Sequence, residues 1–301
     1  MLLPLSIVIT TFNRKVLLER CIKSILQQNY DNLEIIIIDD HSTDGTKEYI
    51  NKKYPFITYI YQDKNQGPSV ARNLGIKKAK NDFVIIMDDD DTLIDNSLVK
   101  ISTCLRANNE LNFPVFNFLC SNAKLDFDDH LKVVSFEDLV NENISGDFLH
   151  VINKNLFLKN GYSFPPYHIG AESLLWYRIA LDYGIPIFNI EVCYVHTDAE
   201  NRLTNYENQI KNAHEFACYQ NEIIYLFGEY IEKVNKNFLI KKYLGALIYN
   251  IFARKKKKAL ASYFEIIKRD KKYIILAMLF LVPNKILRFL FLSYRNRKEK
   301  R

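Results

Sequence analysis

Four consecutive isoleucines, Ile35–Ile38, narrow the choice of folds for this chain more than any other segment. β-branched residues in succession favour an extended strand, and a strand without polar positions indicates burial on both of its faces. Strands of that kind occur mainly in parallel sheets that helices cover on both sides. The segment therefore predicts an α/β fold around a mostly parallel, doubly wound sheet.

Strand and helix patterns alternate through the first hundred or so residues, in agreement with this interpretation. The predicted strands are Leu5–Thr10, Leu33–Ile38, Thr58–Tyr61 and Phe83–Met87. The predicted helices are Lys15–Gln28, Thr46–Lys53 and Ser69–Ala79. Further short strands are expected in residues 110–205, and helices in residues 206–301.

Polar clusters follow three of the four predicted strands. They are Thr10, Thr11 and Asn13 after the first strand, Asp39 and Asp40 after the second, and Asp88–Asp91 after the fourth. Ligands of open α/β sheets bind beyond the carboxyl ends of the strands. Because parallel strands end at the same edge, we expect the three clusters to converge on one site.

The four consecutive aspartates Asp88–Asp91 indicate a cation site. Two carboxylates about 5 Å apart repel by roughly 3 kcal/mol at an effective dielectric of about 20. Alternation along an extended chain places Asp88 and Asp90 on one side, where they suit Mg²⁺ or Mn²⁺. The alternative is an acidic, solvated turn that caps the next helix, but the buried strand before the cluster favours a metal site.

Two other polar residues have binding and structural interpretations of their own. Asp40 could accept hydrogen bonds from a nucleobase or a ribose, whereas helix capping is expected of Ser42 or Asp44. Arg72 lies one turn into the helix that begins after Gly67. A guanidinium there suits a phosphate group or an ion pair with the aspartates, and an exposed surface arginine is the alternative.

Four blocks of sequence resemble the family 2 glycosyltransferases, which have the GT-A fold. The blocks are SIVITTFNR (residues 6–14), IIDDHSTDGT (37–46), GPSVARN (67–73) and IMDDDD (86–91). Their order and spacing are those of the family. The resemblance implies inversion at the anomeric carbon, a nucleoside-diphosphate sugar as donor, usually linked to UDP, and a divalent cation.

The resemblance also implies a role for each matching residue. The residues expected at the nucleotide sugar are Thr10, Thr11, Asn13, Asp40, Arg72, Asp88 and Asp89. The residues expected to hold Mg²⁺ or Mn²⁺ are Asp88 and Asp90, which form the DxD pair, with Asp91 beside the metal.

A downstream block, GAESLLWYR (residues 170–178), resembles the family segment that carries the catalytic base. Alignment on its Leu-Trp-x-Arg pattern places Glu172 at the position of the base, which deprotonates the acceptor hydroxyl. Ala171 stands where the family usually has a second acid. Glu172 could instead be a first-turn charge on a helix dipole. The missing acid leaves open a second hypothesis, a nucleotide-sugar-binding membrane scaffold with impaired catalysis.

Four residues are candidates for contacts with the diphosphate or the acceptor: Asp91, Trp176, His196 and Arg202. His196 and Arg202 lie in a segment that resembles the one after the last core strand of related enzymes. The Trp176 ring could stack on a sugar, although a single tryptophan on an amphipathic helix is more often part of the core. A lone histidine likewise has a structural role more often than a catalytic one.

Three regions are expected along the chain. Residues 1–110 form the nucleotide-sugar-binding part, residues 111–205 the acceptor-binding and catalytic part, and residues 206–301 a helical, basic extension. Residues 254–301 contain 16 Lys and Arg against 3 Asp and Glu. That segment carries +13 in a chain whose total is +6, so the remainder carries −7.

The apolar segment Tyr273–Val282 is too short to span a bilayer, because a ten-residue helix is only about 15 Å long. Together with the basic residues around it, it predicts an interfacial element on an anionic membrane surface. The alternative is a helical element that packs on the catalytic domain. An acceptor held on a membrane lipid would make membrane attachment useful, so a saccharide or lipid-linked saccharide of a cell-surface polysaccharide is the expected acceptor.

Other classes of protein are disfavoured. A dehydrogenase would need a G-x-G-x-x-G pattern and a sugar nucleotidyltransferase a Gly-rich loop after the first strand, and the sequence has neither. No nucleic-acid partner is expected. The five cysteines are scattered, and Met1 leads into the first strand without a leader pattern. We therefore expect a cytoplasmic location, peripheral on the inner face of the cell membrane.

Overall fold

The computed structural model describes residues 2–108, 110–199 and 206–299, and the chain divides into two compact units. Unit 1 comprises Met1–His168 and Glu172–Glu200. Unit 2 comprises Ile169–Ala171 and Asn201–Arg301. The three regions expected from the sequence, with boundaries after residues 110 and 205, stay predictions.

Unit 1 is built on a mixed sheet. Among the described residues its nine strands are β1 (Leu5–Thr11), β2 (Leu33–Asp39), β3 (Thr58–Tyr61), β4 (Phe83–Asp88), β5 (Thr92–Leu93), β6 (Val115–Cys120), β7 (Leu131–Val134), β8 (Phe148–Asn153) and β9 (Ile185–Tyr194). The order across the sheet is β3-β2-β1-β4-β8-β6-β9-β5, and β7 also pairs with β9. Strands β3, β2, β1 and β4 run parallel, whereas β8 is antiparallel to both β4 and β6.

Helices connect these strands and cover the sheet. They are α1 (Lys15–Leu26), α2 (Thr46–Lys53), α3 (Pro68–Lys78), α4 (Ser97–Ala107), α5 (Phe136–Val140), α6 (Lys154–Lys159) and α7 (Ser173–Asp182). All four isoleucines of Ile35–Ile38 are buried, as a strand covered on both faces requires. The α/β fold class with a mostly parallel sheet is therefore confirmed, and the elements predicted up to Met87 agree with the structure to within two residues.

Gly75 determines how closely α3 packs on the sheet. A Cβ atom at this position would lie 2.2 Å from Cγ1 of Val8 in β1, so only a hydrogen atom fits there. Arg72 precedes Gly75 by three residues on the same helix. The close contact between helix and strand therefore also fixes the position of the Arg72 backbone.

Unit 2 is helical in all of its described elements. These are α8 (Tyr206–Lys211), α9 (Ala213–Val234), α10 (Lys236–Phe252), α11 (Lys256–Arg269), a 3₁₀ helix (Lys271–Phe280) and α12 (Asn284–Glu299). Asn235 lies between α9 and α10 and caps α10 by accepting a hydrogen bond from the Phe238 amide at 3.0 Å. The helical C-terminal region predicted from the sequence is thus confirmed. Within the described residues, none of the helices combines the length and the apolar character that crossing a membrane requires.

Candidate functional site

The carboxyl ends of β1, β2 and β4 lie side by side. The strand register pairs Thr11 with Asp39 and Thr10 with Asp88, so the polar residues that follow these strands share one edge of the sheet. This is the edge at which open α/β sheets bind ligands. The structure therefore brings together the three polar clusters that the sequence places at strand ends.

Three of the four consecutive aspartates face one another. Asp88, Asp90 and Asp91 each contribute a carboxylate oxygen, and the three oxygens lie within 4.8 Å of one another. Ligand atoms on opposite sides of a Mg²⁺ ion lie about 4.2 Å apart, so small side-chain rotations would bring all three onto one ion. A set of carboxylate oxygens is also the chemistry that Mg²⁺ and Mn²⁺ prefer. The residues present therefore fit such a metal.

The charges of this cluster are only partly compensated. Burial and the neighbouring carboxylates of Asp88 and Asp90 raise the pKa of Asp91 to about 7, although the His196 amide donates a hydrogen bond to it at 3.2 Å. Partial desolvation would also raise the pKa of Asp88, but the guanidinium of Arg72 outweighs it and lowers that pKa. A bound divalent cation would offset the remaining repulsion.

Asp89 is buried and has partners of its own. It accepts hydrogen bonds from the Thr11 hydroxyl at 2.7 Å and from Arg14 at 3.0 Å, and Arg14 also lies 3.3 Å from Asp90. Burial raises the pKa of Asp89 to about 7, although Arg14 opposes this shift. Thr11 and Asp89, both expected at the nucleotide sugar, thus contact each other. Sequence reasoning missed Arg14, whose only signal was its position at the end of the first block.

Asp40 is buried and holds the loop that leads into α3. Its Oδ1 accepts hydrogen bonds from the Gln62 side chain at 2.7 Å and the Gln66 amide at 2.8 Å. Its Oδ2 accepts one from the Gly67 amide at 2.7 Å. The residue expected at the base or ribose therefore has three partners within the chain.

Asn13 joins the loops that follow β1 and β2. Its amide donates a hydrogen bond to the Ser42 hydroxyl at 2.8 Å, and its side-chain oxygen accepts one from the Thr43 amide at 2.7 Å. Asn13 has a φ of 53°, which asparagine tolerates better than most residues. Its side chain is exposed at the edge of the sheet, next to Thr10 and Thr11 of β1.

Arg72 joins the aspartate cluster to Glu172. One guanidinium nitrogen lies 2.7 Å from Asp88 and the other lies 2.6 Å from Glu172. Glu172 immediately precedes α7, which directs its side chain to Arg72. The fork geometry of a guanidinium fixes both carboxylates at once, so Asp88 and Glu172 are held one guanidinium apart.

An aromatic group lies beside this ion-pair chain. The Trp176 ring centroid is 4.2 Å from that of His150 and 5.6 Å from that of Phe164, and Phe164 lies 5.5 Å from the Arg72 guanidinium. Trp176 is only partly buried, so packing and a contact with a ligand are both compatible with its position. Sequence reasoning missed His150, because its strand is one short apolar segment in an irregular region.

His196 lies beside Asp91 of the aspartate cluster. Its Nε2 is 3.0 Å from the Thr92 hydroxyl, and its amide contacts Asp91. Burial and the charge of Arg20 lower the pKa of His196. Arg202, the other candidate of this segment, lies outside the described residues.

Comparison with known proteins relates this region to a family of enzymes. The sequence model named Glycosyl transferase family 2 matches residues 6–116. A GalNAc(5)-diNAcBac-PP-undecaprenol beta-1,3-glucosyltransferase from Campylobacter jejuni is 35% identical over an alignment that covers 58% of this chain and 59% of that protein. An uncharacterized glycosyltransferase from Haemophilus influenzae is 26% identical, with 94% of this chain and 97% of that protein covered. The match thus spans about three fifths of the first relative and nearly all of the second.

Solved structures resemble the chain over almost its whole length. The Staphylococcus aureus protein TarS, as residues 1–349 in complex with UDP-GlcNAc, has a TM-score of 0.66 at 17% identity and covers 98% of this chain and 92% of its own. The mannosyltransferase PcManGT from Pyrobaculum calidifontis, in complex with GDP-Man and Mn²⁺, has a TM-score of 0.56 at 15% identity, with 97% and 87% covered. These likenesses support the GT-A fold. The matched residues 6–116 contain β1 to β4 and their polar ends, so the similarity to glycosyl transferase family 2 covers the aspartate cluster and Arg72.

Proposed function

We propose that this protein is a glycosyltransferase that moves a sugar from a nucleoside-diphosphate sugar to a saccharide or lipid-linked saccharide. The observation that carries the proposal is the double ion pair of Arg72, which lies 2.7 Å from Asp88 and 2.6 Å from Glu172. A transferase must hold the activated end of its donor and the base for its acceptor within one sugar ring of each other. Arg72 supplies that spacing between the aspartate cluster and Glu172.

The aspartate cluster would hold the diphosphate end of the donor through a divalent cation. Asp88, Asp90 and Asp91 have the carboxylate oxygens for Mg²⁺ or Mn²⁺. Such an ion, when bound, neutralises charge on the departing diphosphate. The complex of PcManGT with GDP-Man and Mn²⁺ supports this assignment. UDP is the expected nucleotide, and the complex of TarS with UDP-GlcNAc supports it.

Glu172 would act as the general base. Its Oε1 accepts a hydrogen bond from Arg72, which leaves Oε2 to take the proton of the acceptor hydroxyl as that oxygen attacks the anomeric carbon. Attack from the face opposite the leaving diphosphate inverts the anomeric configuration. The product of an α-linked donor would therefore be a β-glycoside, which NMR of the product can establish.

The acceptor is expected to be carried by a membrane lipid. The name of the Campylobacter relative includes an undecaprenol diphosphate, which supports a lipid-linked saccharide of cell-surface polysaccharide synthesis. In unit 2 the 3₁₀ helix leaves Ile275 66% exposed, and Leu281, which follows that helix, is 84% exposed. Lys271 and Lys272 are exposed beside these apolar side chains. An apolar surface with basic neighbours suits an anionic membrane, on its cytoplasmic side.

Nucleotide binding and sugar transfer test the enzymatic part of the proposal. UDP should raise the melting temperature in the presence of Mn²⁺ and not in EDTA. The protein should then release UDP from one sugar of a UDP-sugar panel, faster when a lipid-linked saccharide is added. Metal-dependent binding without any turnover would contradict the enzyme and favour the scaffold with impaired catalysis, which the alanine at position 171 motivates.

Vesicle flotation tests the membrane part. The full chain should float with vesicles that contain phosphatidylglycerol and less with pure phosphatidylcholine, and salt should weaken but not abolish binding. The double variant Lys271→Glu/Lys272→Glu should bind less. Lys77→Glu/Lys78→Glu, which changes two exposed lysines of α3 in unit 1, is the matched control. Equal loss in both double variants would indicate a general charge effect and contradict docking through unit 2.

A further inference from the structure

His150 reaches the candidate site from an unexpected direction. Strand β8 lies between β4 and β6, and the register places His150 opposite Ile86 on one side and Asn117 on the other. Residues directly opposite each other point to the same face of a sheet, as do residues two apart on one strand. His150 therefore shares its face with Asp88, which follows Ile86 by two residues.

Asn117 fixes the protonation of the His150 ring. The Nδ1 atom of His150 lies 2.8 Å from the side-chain oxygen of Asn117, and that amide oxygen only accepts hydrogen bonds. Nδ1 therefore carries the proton, and Nε2 keeps its lone pair as an acceptor. Burial and the charge of Arg72 lower the pKa of His150 to about 3 against the opposing effect of Asp88, so the ring is neutral at pH 7.

The ring also belongs to a continuous wall that begins at Arg72. Phe164 lies against Arg72, Trp176 lies edge-on to Phe164, and His150 packs on Trp176. Trp176 and His150 are both only partly buried. Aromatic faces with a few fixed polar atoms are typical of binding sites for small polar ligands. Sugars have apolar ring faces, which pack on aromatic rings, and hydroxyl groups at their edges, which can donate a hydrogen bond to the ring nitrogen of His150.

We propose that His150, through Nε2, accepts a hydrogen bond from a hydroxyl group of the transferred sugar and thereby helps to select the donor. This inference rests on the proposed function, which puts the diphosphate at the cluster of Asp88, Asp90 and Asp91 and the transfer at Glu172. The sugar ring must then lie along Asp88 and Arg72, next to the wall that includes His150. The neutral Nε2 atom can accept a hydrogen bond from a hydroxyl group at one position of the sugar ring. An epimer or a deoxy sugar changed at that position would lose this hydrogen bond.

Binding measurements with matched variants test this proposal. The variants are His150→Phe, which keeps the aromatic stack without Nε2, His150→Gln, which restores an acceptor, and His130→Phe, a control at an exposed histidine. The probes are UDP, UDP-glucose, UDP-galactose, UDP-GlcNAc and GDP-mannose, each with Mn²⁺. His150→Phe should bind UDP like the wild type, lose about tenfold or more in affinity for the preferred nucleotide sugar, and rank the sugars less sharply. His150→Gln should recover part of the loss, and His130→Phe should lose nothing.

A fourth variant covers the case in which His150→Phe does not fold. Asn117→Ala keeps the imidazole but no longer fixes which of its nitrogens carries the proton. The preferred nucleotide sugar should then bind a few-fold more weakly, and UDP equally well. Unchanged sugar affinity and ranking in all His150 variants would overturn the inference, and so would an equal loss for UDP and for its sugars, which indicates a structural role. A wild-type protein that binds no probe with Mn²⁺ would overturn the proposed function and the inference with it.

Discussion

Two strands of the sheet, β2 and β4, end in aspartates, yet the two acidic regions differ in the partners of their carboxylates. After β2, Asp39 accepts hydrogen bonds from the Ser42 amide at 2.7 Å and from the Tyr59 hydroxyl, and Asp40 accepts three more. After β4, the carboxylates of Asp88, Asp90 and Asp91 face one another instead. The first region is an acidic turn that the chain itself satisfies, and the second is a concentration of negative charge.

An acidic run in a sequence does not by itself identify a metal site. A buried carboxylate that receives several N–H and O–H bonds is stabilised where it stands and orders the surrounding loop. A carboxylate that faces other carboxylates has to be offset by a cation, an arginine or a proton. Arg72 contacts Asp88, and Arg14 contacts Asp90 but also pairs with Asp89. Substitution of single residues in either region tests this contrast.

The largest effect is expected for Asp90→Asn in the second region. Losing one ligand should weaken metal-dependent binding of UDP and lower turnover by about 10²- to 10³-fold, since the metal contributes several kcal/mol to the transition state. Titration of activity with Mn²⁺ measures the change. The melting temperature of the metal-free variant should stay close to that of the wild type. Full activity at ordinary Mn²⁺ concentration would show that this region does not hold the metal.

The second-largest effect is expected for Glu172→Gln, a residue that shares features of both regions. One of its oxygens is satisfied by Arg72, as in the first region, whereas the other is needed for proton transfer. Turnover should fall by about 10²-fold with UDP binding nearly unchanged. Glu137→Gln, at an exposed glutamate of α5, is the control. If Glu172→Gln had the turnover of the wild type, the role of Glu172 would be purely structural.

Asp40→Asn tests the first region through stability. The new amide keeps one acceptor oxygen and has an NH2 group in place of the other, so it cannot accept from Gln62, Gln66 and Gly67 together and buried hydrogen bonds are lost. The free energy of unfolding should fall by about 1–3 kcal/mol, as measured by urea denaturation in EDTA. An unfolding free energy equal to that of the wild type would mean that these hydrogen bonds do not stabilise the fold.

The smallest effect is expected for Asp91→Asn in metal-free protein. The pKa of Asp91 is about 7 in the folded chain and about 3.8 when unperturbed, so its ionised form is disfavoured by folding. Its contribution to stability is therefore complete below pH ~3.8 and is lost as the pH rises through about 7. In EDTA the wild type should lose more stability than Asp91→Asn between pH 5 and pH 8, because only the wild type has an ionisable group at this position. Parallel pH profiles of the two proteins would contradict this expectation.

The sequence predicts the first half of unit 1 well because its signals are local. The burial of Ile35–Ile38 follows from four apolar β-branched residues in succession, and the parallel arrangement follows from the alternation of elements. The convergence of Thr11, Asp39 and Asp88 at one edge then follows from topology alone. Those inferences need no knowledge of which side chains meet.

The remaining features depend on contacts between residues that are far apart in sequence. The partners of Asp40 lie more than twenty residues downstream, in a loop whose path no local pattern specifies. His150 enters the site because β8 inserts antiparallel between β4 and β6, an order that short apolar runs do not reveal. The contact of Asp89 with Arg14, 75 residues earlier in the chain, is likewise a product of packing.

The contact of Gly75 with Val8 has a consequence for how this chain tolerates mutation. A single added methyl group at position 75 would collide with Val8 at 2.2 Å and push α3 outward from β1. Arg72 lies on the same helix, so its guanidinium would move away from the carboxylates of Asp88 and Glu172, which it contacts at less than 3 Å. A saturation mutagenesis screen for activity should therefore mark Gly75 as intolerant, although its nearest neighbours are hydrocarbon.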